Sequence, residues 1–513
     1  MRTTAVVGGA GEMDRLKLSY LFYITGWTLF CGLLLGGGVA NVYLTNALLQ
    51  LLALPGLVAA LWRLSVVGPT PAARPVLYLI AAAVVLVMLQ LAPLPPGLWS
   101  ALPFRDRAVA ALSAIGEAKK WAPLSLTPEA TLAGLATLIA PLALFLSVIS
   151  LSFRERRMLT LIALAFGFIN AFLGLLQLSQ GPESALYFYK YGGRGDSVGL
   201  FANRNHEAAL LYSLTPLAAA WIGGLAPAVS IRSRRGKLDT TALIKLLTAG
   251  VTAFVLVVAA LMTRSRAGVI LLMLALVGGL SLQPWRQLRT GSSRAGGVYM
   301  IVAILAMMLG LQYGIYKIAM RFEEDPFGDA RIAIGQATAK AAVQALPFGT
   351  GLGSFVRLYA SIERPGDLLP DRFINLAHND PLQFALEAGL PGIALILGFL
   401  LWFISRLRPI WQSSKAGLDE GGPGARGAVP PDASVIDTLI ARAATISLAL
   451  LALHSFVDYP LRTTALMGLF AFYCALLVGP PEAAGHLSST NSPTHASGAR
   501  RERGPSHMSK QAR

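Results

Sequence analysis

The sequence predicts an all-α protein, a polytopic transmembrane helical bundle of about 12 spans with a large loop between spans nine and ten. Hydrophobic residues make up 55% of the 513 residues, charged residues only 13%, and the mean hydropathy is +0.59. Apolar runs long enough to cross a bilayer recur through nearly the whole chain. Short basic segments alternate with segments poorer in lysine and arginine, as in chains that cross a membrane repeatedly.

The apolar runs give the positions of the spans. They lie near residues 20–38, 42–62, 75–92, 130–152, 158–178, 206–228, 241–262, 267–283, 297–316, 390–405, 438–457 and 463–479. With the N-terminus in the cytoplasm, short basic loops such as the one containing Arg154, Arg156 and Arg157 all face the cytoplasm. The positive-inside rule then accounts for most of the formal net charge of +17, which argues against nucleic-acid binding.

Composition divides the chain into five predicted regions. They are a cytoplasmic N-terminus (1–19), spans one to nine (20–316), an outer loop with short helices (317–389), spans ten to twelve (390–479) and a disordered, basic cytoplasmic tail (480–513). Cys31 and Cys474 fall inside apolar runs and provide neither a disulfide framework nor metal-ligand spacing. The first apolar run is long enough to stay in the membrane, so we expect no cleavable signal peptide.

The central motif is LAHNDPLQFALEAGLPG, at residues 376–392. His378 and Asn379 come just before a helix that Asp380 can cap and Gly389 ends. The backbone dipole at a helix N-terminus disfavours imidazolium, so we predict a neutral, basic ring at His378. Glu387 would lie on the opposite helix face and is not expected to orient that ring. The alternative is a polar loop that only leads into a membrane helix.

Two arginines lie in LMTRSRAG (261–268), where span seven turns into span eight. These are Arg264 and Arg266. Guanidinium forks bind phosphate oxygens bidentately, so the pair predicts a site for a diphosphate. The alternative is that arginines at a membrane boundary only extend their side chains toward water.

A dense polar group opens span six, within GLFANRNHE (199–207). Its members are Asn203, Arg204, Asn205 and His206. Polar crowding at membrane depth usually marks function. The alternative is that either asparagine only caps the helix.

The segment LHSFVDYPLR (453–462) ends span eleven. His454 and Asp458 are four residues apart, so they share a helix face and are predicted to hydrogen-bond. An ionisable pair within a membrane is a functional hypothesis. The alternative, which we favour for His454, is a structural pair that fixes helix packing. The role of Arg462 stays open.

Four further features carry little chemical signal. FGTGLGSF (348–355) lacks the lysine of a P-loop and is interpreted as flexible backbone. Arg-Gly-Asp at 194–196 is interpreted as a chance match, and the acidic residues 323–325 as a solvated turn. Arg331 could bind the same anion as the arginine pair, although a single basic residue in a loop is usually solvated.

Taken together, these pieces resemble the O-antigen ligase and polymerase family of bacterial inner membranes. The motifs that carry the resemblance are QLAPLPPGLW (90–99), LSLTPEAT (124–131), GLFANRNHEA (199–208), LMTRSRAG (261–268), AHNDPLQFALEAGLPG (377–392) and HSFVDYPLR (454–462). Each motif is weak alone. Their order, spacing and agreement with the predicted topology carry the resemblance as a set.

The resemblance implies a metal-independent glycosyltransferase without a cofactor, in the bacterial inner membrane, with its active site and the 317–389 loop facing the periplasm. Its donor would be a polyprenyl-diphosphate-linked glycan and its acceptor a glycan, lipid or protein. The family's arginine at the seventh-to-eighth turn maps onto Arg266 and its outer-loop histidine onto His378. Arg264 departs from the commoner pattern.

The predicted roles follow from this mapping. The catalytic residues are His378 and Arg266, and the donor diphosphate is bound by Arg204, Arg264, Arg266 and Arg331. The supporting residues are Asn203, His206, Asn379, Glu387, His454 and Asp458. A sugar that leaves from diphosphate needs its departing charge stabilised, and an attacking hydroxyl needs a base.

Two other classes of protein share some of these features. A lipid-linked glycan flippase or polysaccharide transporter also has many spans and buried charges, but it tends to carry broken helices and charged residues at the midplane. A membrane scaffold for polysaccharide assembly would leave Arg266 and His378 unexplained. The motifs are shared by ligases, polymerases and protein O-glycosylating relatives, so the sequence does not distinguish among these.

Overall fold

The computed structural model describes residues 18–39, 43–189, 192–225, 240–283, 295–309, 326–363, 374–412 and 435–479. Several predictions fall outside these ranges. They are the disordered tail, the acidic turn at 323–325 and most of the N-terminal region.

The described part of the chain is almost entirely helical. Its helices in the first half are α1 (Tyr20–Leu35), α2 (Tyr43–Val67), α3 (Arg74–Leu91), α4 (Pro96–Ser100), α5 (Asp106–Ala114), α6 (Pro128–Thr137), α7 (Ile139–Ile149), α8 (Phe153–Gln180) and α9 (Arg204–Leu225). In the second half they are α10 (Thr240–Met262), α11 (Arg266–Leu280), α12 (Ala295–Leu309), α13 (Pro326–Gln344), α14 (Phe355–Ile362), α15 (Asp380–Gln412), α16 (Val435–His454) and α17 (Thr464–Leu476), with a 3₁₀ turn at Pro460–Arg462 between the last two.

These helices coincide with the predicted spans. In the described residues, eight helices are long and apolar enough to cross a membrane, counting α6 and α7 together as residues 128–149. Three shorter apolar helices, α1, α11 and α17, coincide with predicted spans one, eight and twelve. The molecule is therefore a multi-pass membrane protein, and the full count of about twelve spans stays a prediction.

Helix α9 lies at the centre of the bundle. In the most apolar 18-residue stretch of α9, 83% of the stretch is buried, whereas the corresponding shares are 22% for α2 and 17% for α3. Small residues let its neighbours approach closely: a Cβ added to Gly268 of α11 would lie 2.5 Å from the Cβ of Ala208. The exposed apolar side chains of α2 and α3 suit contact with lipid, where an apolar surface needs no protein partner.

Three motifs near the start of α15 form one loop assembly. Strands β1 (Pro93–Leu94) and β2 (Ala122–Pro123) pair antiparallel. Gln90 donates to the carbonyl of Glu387 at 2.9 Å and accepts from the amide of Leu352 at 3.0 Å. A Cβ on Gly351, whose φ is +97°, would lie 2.2 Å from Oγ of Ser125. The interpretation of 348–355 as flexible backbone is therefore wrong, because its glycines permit tight packing.

Helix α15 is kinked at Gly389, which has the non-helical angles φ 60° and ψ −149°. A Cβ at this position would lie 2.2 Å from the carbonyl oxygen of Pro347. The first helix was predicted to end at Gly389, and its straight segment does end there. A second helical segment follows directly and runs to Gln412. The short first segment carries the polar residues, and the long second segment carries the apolar run.

Candidate active site

His378 lies at the mouth of the loop assembly, immediately before α15. Its backbone has φ 53°, a left-handed conformation that is uncommon for residues other than glycine. Asn379 follows, and its Oδ1 accepts from the amide of Leu382 at 2.9 Å. Asn379 therefore caps α15, and the prediction that Asp380 is the cap is wrong. The carboxylate of Asp380 turns instead toward the last two helices.

The imidazole of His378 contacts a buried carboxylate. Its Nδ1 lies 3.2 Å from Oδ1 of Asp458, whose side chain is 1% exposed, and the amide of Tyr459 donates to the same oxygen at 3.0 Å. The amide group of Asn205 donates to the other oxygen, Oδ2. Three segments far apart in the sequence thus meet at Asp458.

The side chains of His454 and Asp458 do not form the predicted hydrogen bond, although the backbone amide of Asp458 donates to the carbonyl of His454 at 2.9 Å. Helix α16 ends at His454, so the two residues do not share a helix face. Nδ1 of His454 instead lies 2.9 Å from the hydroxyl of Tyr212, within the core of the bundle. This contact agrees with a packing role for His454, whereas Asp458 is directed at His378.

The ionisation of Asp458 is controlled by its neighbours. Burial by itself raises the pKa of this carboxyl, but the hydrogen bond to His378 and the charges of the nearby histidines outweigh burial and hold the pKa well below its usual value. Asp458 is therefore an anion at neutral pH. An anion in this position stabilises an imidazole that has taken up a proton.

Tyr459 separates two histidines. Its ring centroid lies 4.8 Å from that of His378 and 5.1 Å from that of His206, with edge-type geometry in both cases. His206 is fully buried, and within the described residues neither of its ring nitrogens has a hydrogen-bond partner. The hydroxyl of Tyr459 pairs with Asn203. Tyr459 thus fixes the position of the His378 ring and covers His206.

Two of the predicted donor-binding arginines share one carboxylate. Nη1 of Arg204 lies 2.8 Å from Oδ2 of Asp196, and Nη1 of Arg264 lies 3.4 Å from Oδ1 of the same residue. Asp196 is the last residue of the Arg-Gly-Asp tripeptide. The tripeptide was interpreted as a chance match, yet its aspartate binds two arginines of the site. The group carries one net positive charge in addition to that of Arg266, which opens α11 two residues after Arg264.

The two clusters lie within one helical turn of each other. Arg204 and Asn205 are consecutive residues at the start of α9, and they bind Asp196 and Asp458 respectively. Arg331, from α13, donates to the carbonyl of Val457 at 3.4 Å, beside Asp458. The structure therefore brings together residues from five segments. These are His378, Asn379, Asp458, Asn203, Arg204, Asn205, His206, Arg264 and Arg331.

Glu387 belongs to a neighbouring ion cluster. Its Oε2 accepts from Nη1 of Arg462 at 3.1 Å, and Asp380 accepts from Nε of the same arginine at 3.2 Å. Oε1 of Glu387 accepts from Gln383 at 2.9 Å. Both carboxylates raise the pKa of Arg462, although burial alone lowers it. Arg462 therefore ties the first segment of α15 to the turn that carries Asp458, and Glu387 supports the site without touching His378.

Sequence reasoning missed several residues of the site. Asp196 and Tyr459 gave no local signal, because their partners are 8 to 253 residues away, and Asp380 was predicted only as a helix cap. Asn170 and Glu207 did give a local signal, since polar residues within apolar spans usually have a function. Nδ2 of Asn170 donates to Glu207 at 2.5 Å, and its Oδ1 accepts from the amide of Leu200 at 2.8 Å. This pair holds the loop that leads into Arg204.

The segment from the middle of α10 to the end of α15 is similar to a known family. Residues 251–413 match the family model described as O-antigen ligase.

The match supports the O-antigen ligase and polymerase family for this chain.

The match agrees with the resemblance predicted from the sequence and supports an O-antigen ligase-like membrane enzyme. No curated protein matches the chain. The matched segment contains Arg264, Arg266, Arg331 and His378, whereas Asp458 lies outside it. Within the described residues no group of three or more His, Cys, Asp or Glu side chains could hold a metal ion.

Proposed function

We propose that the protein transfers or polymerises a polyprenyl-diphosphate-linked glycan on the periplasmic face of the bacterial inner membrane. The observation that supports this most is the juxtaposition of a histidine–carboxylate pair with an arginine cluster through consecutive residues of α9. Such a site offers a base for an acceptor hydroxyl beside cations for a departing diphosphate.

The proposed reaction breaks one bond and forms one bond. The hydroxyl oxygen of the acceptor attacks the anomeric carbon of the donor glycan and forms the new glycosidic bond. The bond between that carbon and the diphosphate oxygen breaks, and its electron pair leaves with the polyprenyl diphosphate. The hydroxyl proton passes to His378. With Nδ1–H directed at Asp458, the basic nitrogen of the ring is Nε2, and Asp458 stabilises the imidazolium that forms.

Arg266, assisted by Arg264 and Arg204, is proposed to bind the diphosphate. Guanidinium groups in a poorly solvated site stabilise developing phosphate charge strongly. Asp196 holds Arg204 and Arg264 in place while the donor is absent. Because both arginines already lie close together around one carboxylate, little rearrangement is needed for them to turn toward a second anion. Arg331 is proposed to contribute from α13.

Reconstitution into proteoliposomes tests this function. A polyprenyl-diphosphate oligosaccharide and a matching acceptor are supplied, and mass spectrometry detects a new glycosidic linkage. In parallel, a membrane-impermeant lectin reports movement of the donor glycan across the bilayer. New linkage that depends on His378 supports the transferase. Translocation without any new linkage would instead identify a lipid-linked glycan flippase.

Substitutions of Arg266 test the proposal that this residue binds the diphosphate. Arg266→Ala should lose most of the transfer activity, and Arg266→Lys should remain impaired because it keeps the charge but loses the planar fork. Arg408→Ala, which removes an exposed arginine of α15, serves as the control. Near-normal transfer by Arg266→Ala at equal expression would contradict the assignment.

A further inference from the structure

The end of the bundle away from His378 contains an arginine-lined cavity. It measures about 80 Å³ and lies among the start of α8, the end of α15, the start of α16 and the residues just after α17. The charged residues of its lining are Arg156, Arg157, Arg406 and Asp437. Asp437 and His454 are 17 residues apart in α16, so the cavity lies about 25 Å along that helix from the candidate active site.

The charges in this cavity do not balance. Nη1 of Arg157 pairs with Oδ2 of Asp437 at 3.2 Å. Among the described residues, Arg156 and Arg406 form no ion pair with a carboxylate, and their guanidinium groups donate only to backbone carbonyls. Arg156 donates to the carbonyls of Leu151, Ile149, Ala475 and Val478, and Arg406 donates to that of Leu477 through Nε at 3.2 Å and Nη2 at 3.1 Å. The lining therefore carries three guanidinium groups and one carboxylate, and the negative charges of Asp437 and Glu155 both act on Arg156.

We infer that this cavity binds a phosphate group, most simply the headgroup of an anionic phospholipid. One water requires about 10–15 Å³, and the cavity volume is several times larger. This volume suits a tetrahedral oxyanion rather than a whole lipid. Apolar side chains complete the lining, among them Phe153, Ile440 and Leu476. Acyl chains attached to a bound headgroup can continue along the apolar faces of the helices, as basic pockets between membrane helices allow.

The test uses the full-length protein in detergent with two probes. Native mass spectrometry counts the phosphatidylglycerol molecules retained, with phosphatidylcholine as the uncharged comparison. Arg406→Gln should reduce phosphatidylglycerol retention about fivefold, the effect of one cation near a membrane surface. Arg408→Gln is the matched control, because Arg408 is exposed on the same helix, bonds to Gln412 and does not line the cavity.

Asp437→Asn should have the opposite effect on phosphatidylglycerol retention. It removes the one carboxylate of the lining and releases Arg157 from its ion pair, so retention of phosphatidylglycerol should rise. A role of the arginines that is only structural predicts no such rise. This variant also keeps the inference testable if Arg406→Gln fails to fold.

Inorganic phosphate without lipid is the second probe, read out as a shift of the thermal unfolding midpoint. A shift that Arg406→Gln abolishes, together with equal retention of both lipids, supports a soluble phosphate as the occupant. Preferential retention of phosphatidylglycerol that depends on Arg406 supports the lipid. If neither probe responds to Arg406→Gln or to Asp437→Asn, the inference is overturned.

Discussion

His378 and Arg264 share an unusual backbone conformation. Their φ values are 53° and 56°, and in the described part of the chain Phe104 is the other residue besides glycine with positive φ. Holding such a residue in the left-handed region costs about 1–2 kcal/mol. The cost is tolerated because each side chain is tied to a buried carboxylate, His378 to Asp458 and Arg264 to Asp196. Strain at two predicted site residues supports their proposed roles.

His378→Ala should lower the transfer rate by about 10² to 10⁴, the usual contribution of general-base assistance. Donor binding should survive because the arginines carry it. His378→Gln could retain some activity if orientation matters more than proton removal. The measurement is initial-rate transfer in proteoliposomes, together with donor binding. His454→Gln is the comparison, and it should lower abundance more than activity per molecule because His454 bonds to Tyr212 within the bundle core.

Parental activity in His378→Ala would place the base elsewhere. His206 would be the next candidate. Its full burial beneath Tyr459 would then require that ring to move, which Tyr459→Ala tests directly.

Asp458 should make the stability of the folded protein depend on pH. Because its pKa is lower in the folded protein than in the unfolded chain, its contribution is fully present above about pH 4 and is lost as the pH falls through the lower folded value. The difference in thermal unfolding midpoint between the parent and Asp458→Asn should therefore persist from pH 8 to pH 5 and shrink below pH 4. A difference that disappears between pH 7 and pH 5 would contradict this assignment.

At the scale of elements, α15 depends on Arg462. This one guanidinium binds two carboxylates of the first α15 segment, Asp380 and Glu387, and the side chain of Glu387 is 0% exposed. Arg462 itself belongs to the 3₁₀ turn that follows Asp458. The ion cluster therefore determines the distance between the helix that begins after His378 and the turn that carries its carboxylate.

Arg462→Met should destabilise the protein by about 3 kcal/mol, because it leaves buried carboxylates unpaired. Adding Glu387→Gln to Arg462→Met should restore part of this loss, since it removes one of the unpaired charges. Thermal unfolding in detergent measures both effects. Arg357→Met, at an exposed position of α14, is the control and should shift the midpoint little. If the double variant is less stable than Arg462→Met, the two residues do not form the proposed cluster.

At the scale of the whole molecule, the polar clusters and the arginine-lined cavity lie at opposite ends of α16. The positive-inside pattern predicts that the cavity end faces the cytoplasm and the His378 end faces the periplasm. The arginines proposed to bind the donor and the loop assembly both belong to the predicted periplasmic end. The two ends would then meet different leaflets of the membrane and different soluble molecules.

Cysteine accessibility tests this orientation. Both native cysteines are buried, so a new cysteine is labelled against a low background. Ser361→Cys, at an exposed position of α14, should react with an impermeant maleimide in cells whose inner membrane is intact. Arg408→Cys, near the other end of α15, should react only after that membrane is permeabilised. The reverse pattern would invert the topology.

The sequence alone determined the fold class, the positions of the helices and the identity of the arginine and histidine motifs. Apolar runs and capping residues are local, because a span must satisfy its backbone hydrogen bonds within its own segment. The family resemblance also rests on short motifs such as LMTRSRAG and AHNDPLQFALEAGLPG, each of which is read within a few residues.

Only the tertiary structure decided which charged groups are partners. Asp458 was predicted to bind His454, four residues away, yet it binds His378, 80 residues away, and Asn205, 253 residues away. Asp196 showed no role in the sequence, and the structure shows it bound by Arg204 at the start of α9 and by Arg264 in the turn before α11. A carboxylate buried in a membrane protein must find a counter-charge wherever the bundle brings one, and that choice depends on helix packing across the whole chain rather than on neighbouring residues.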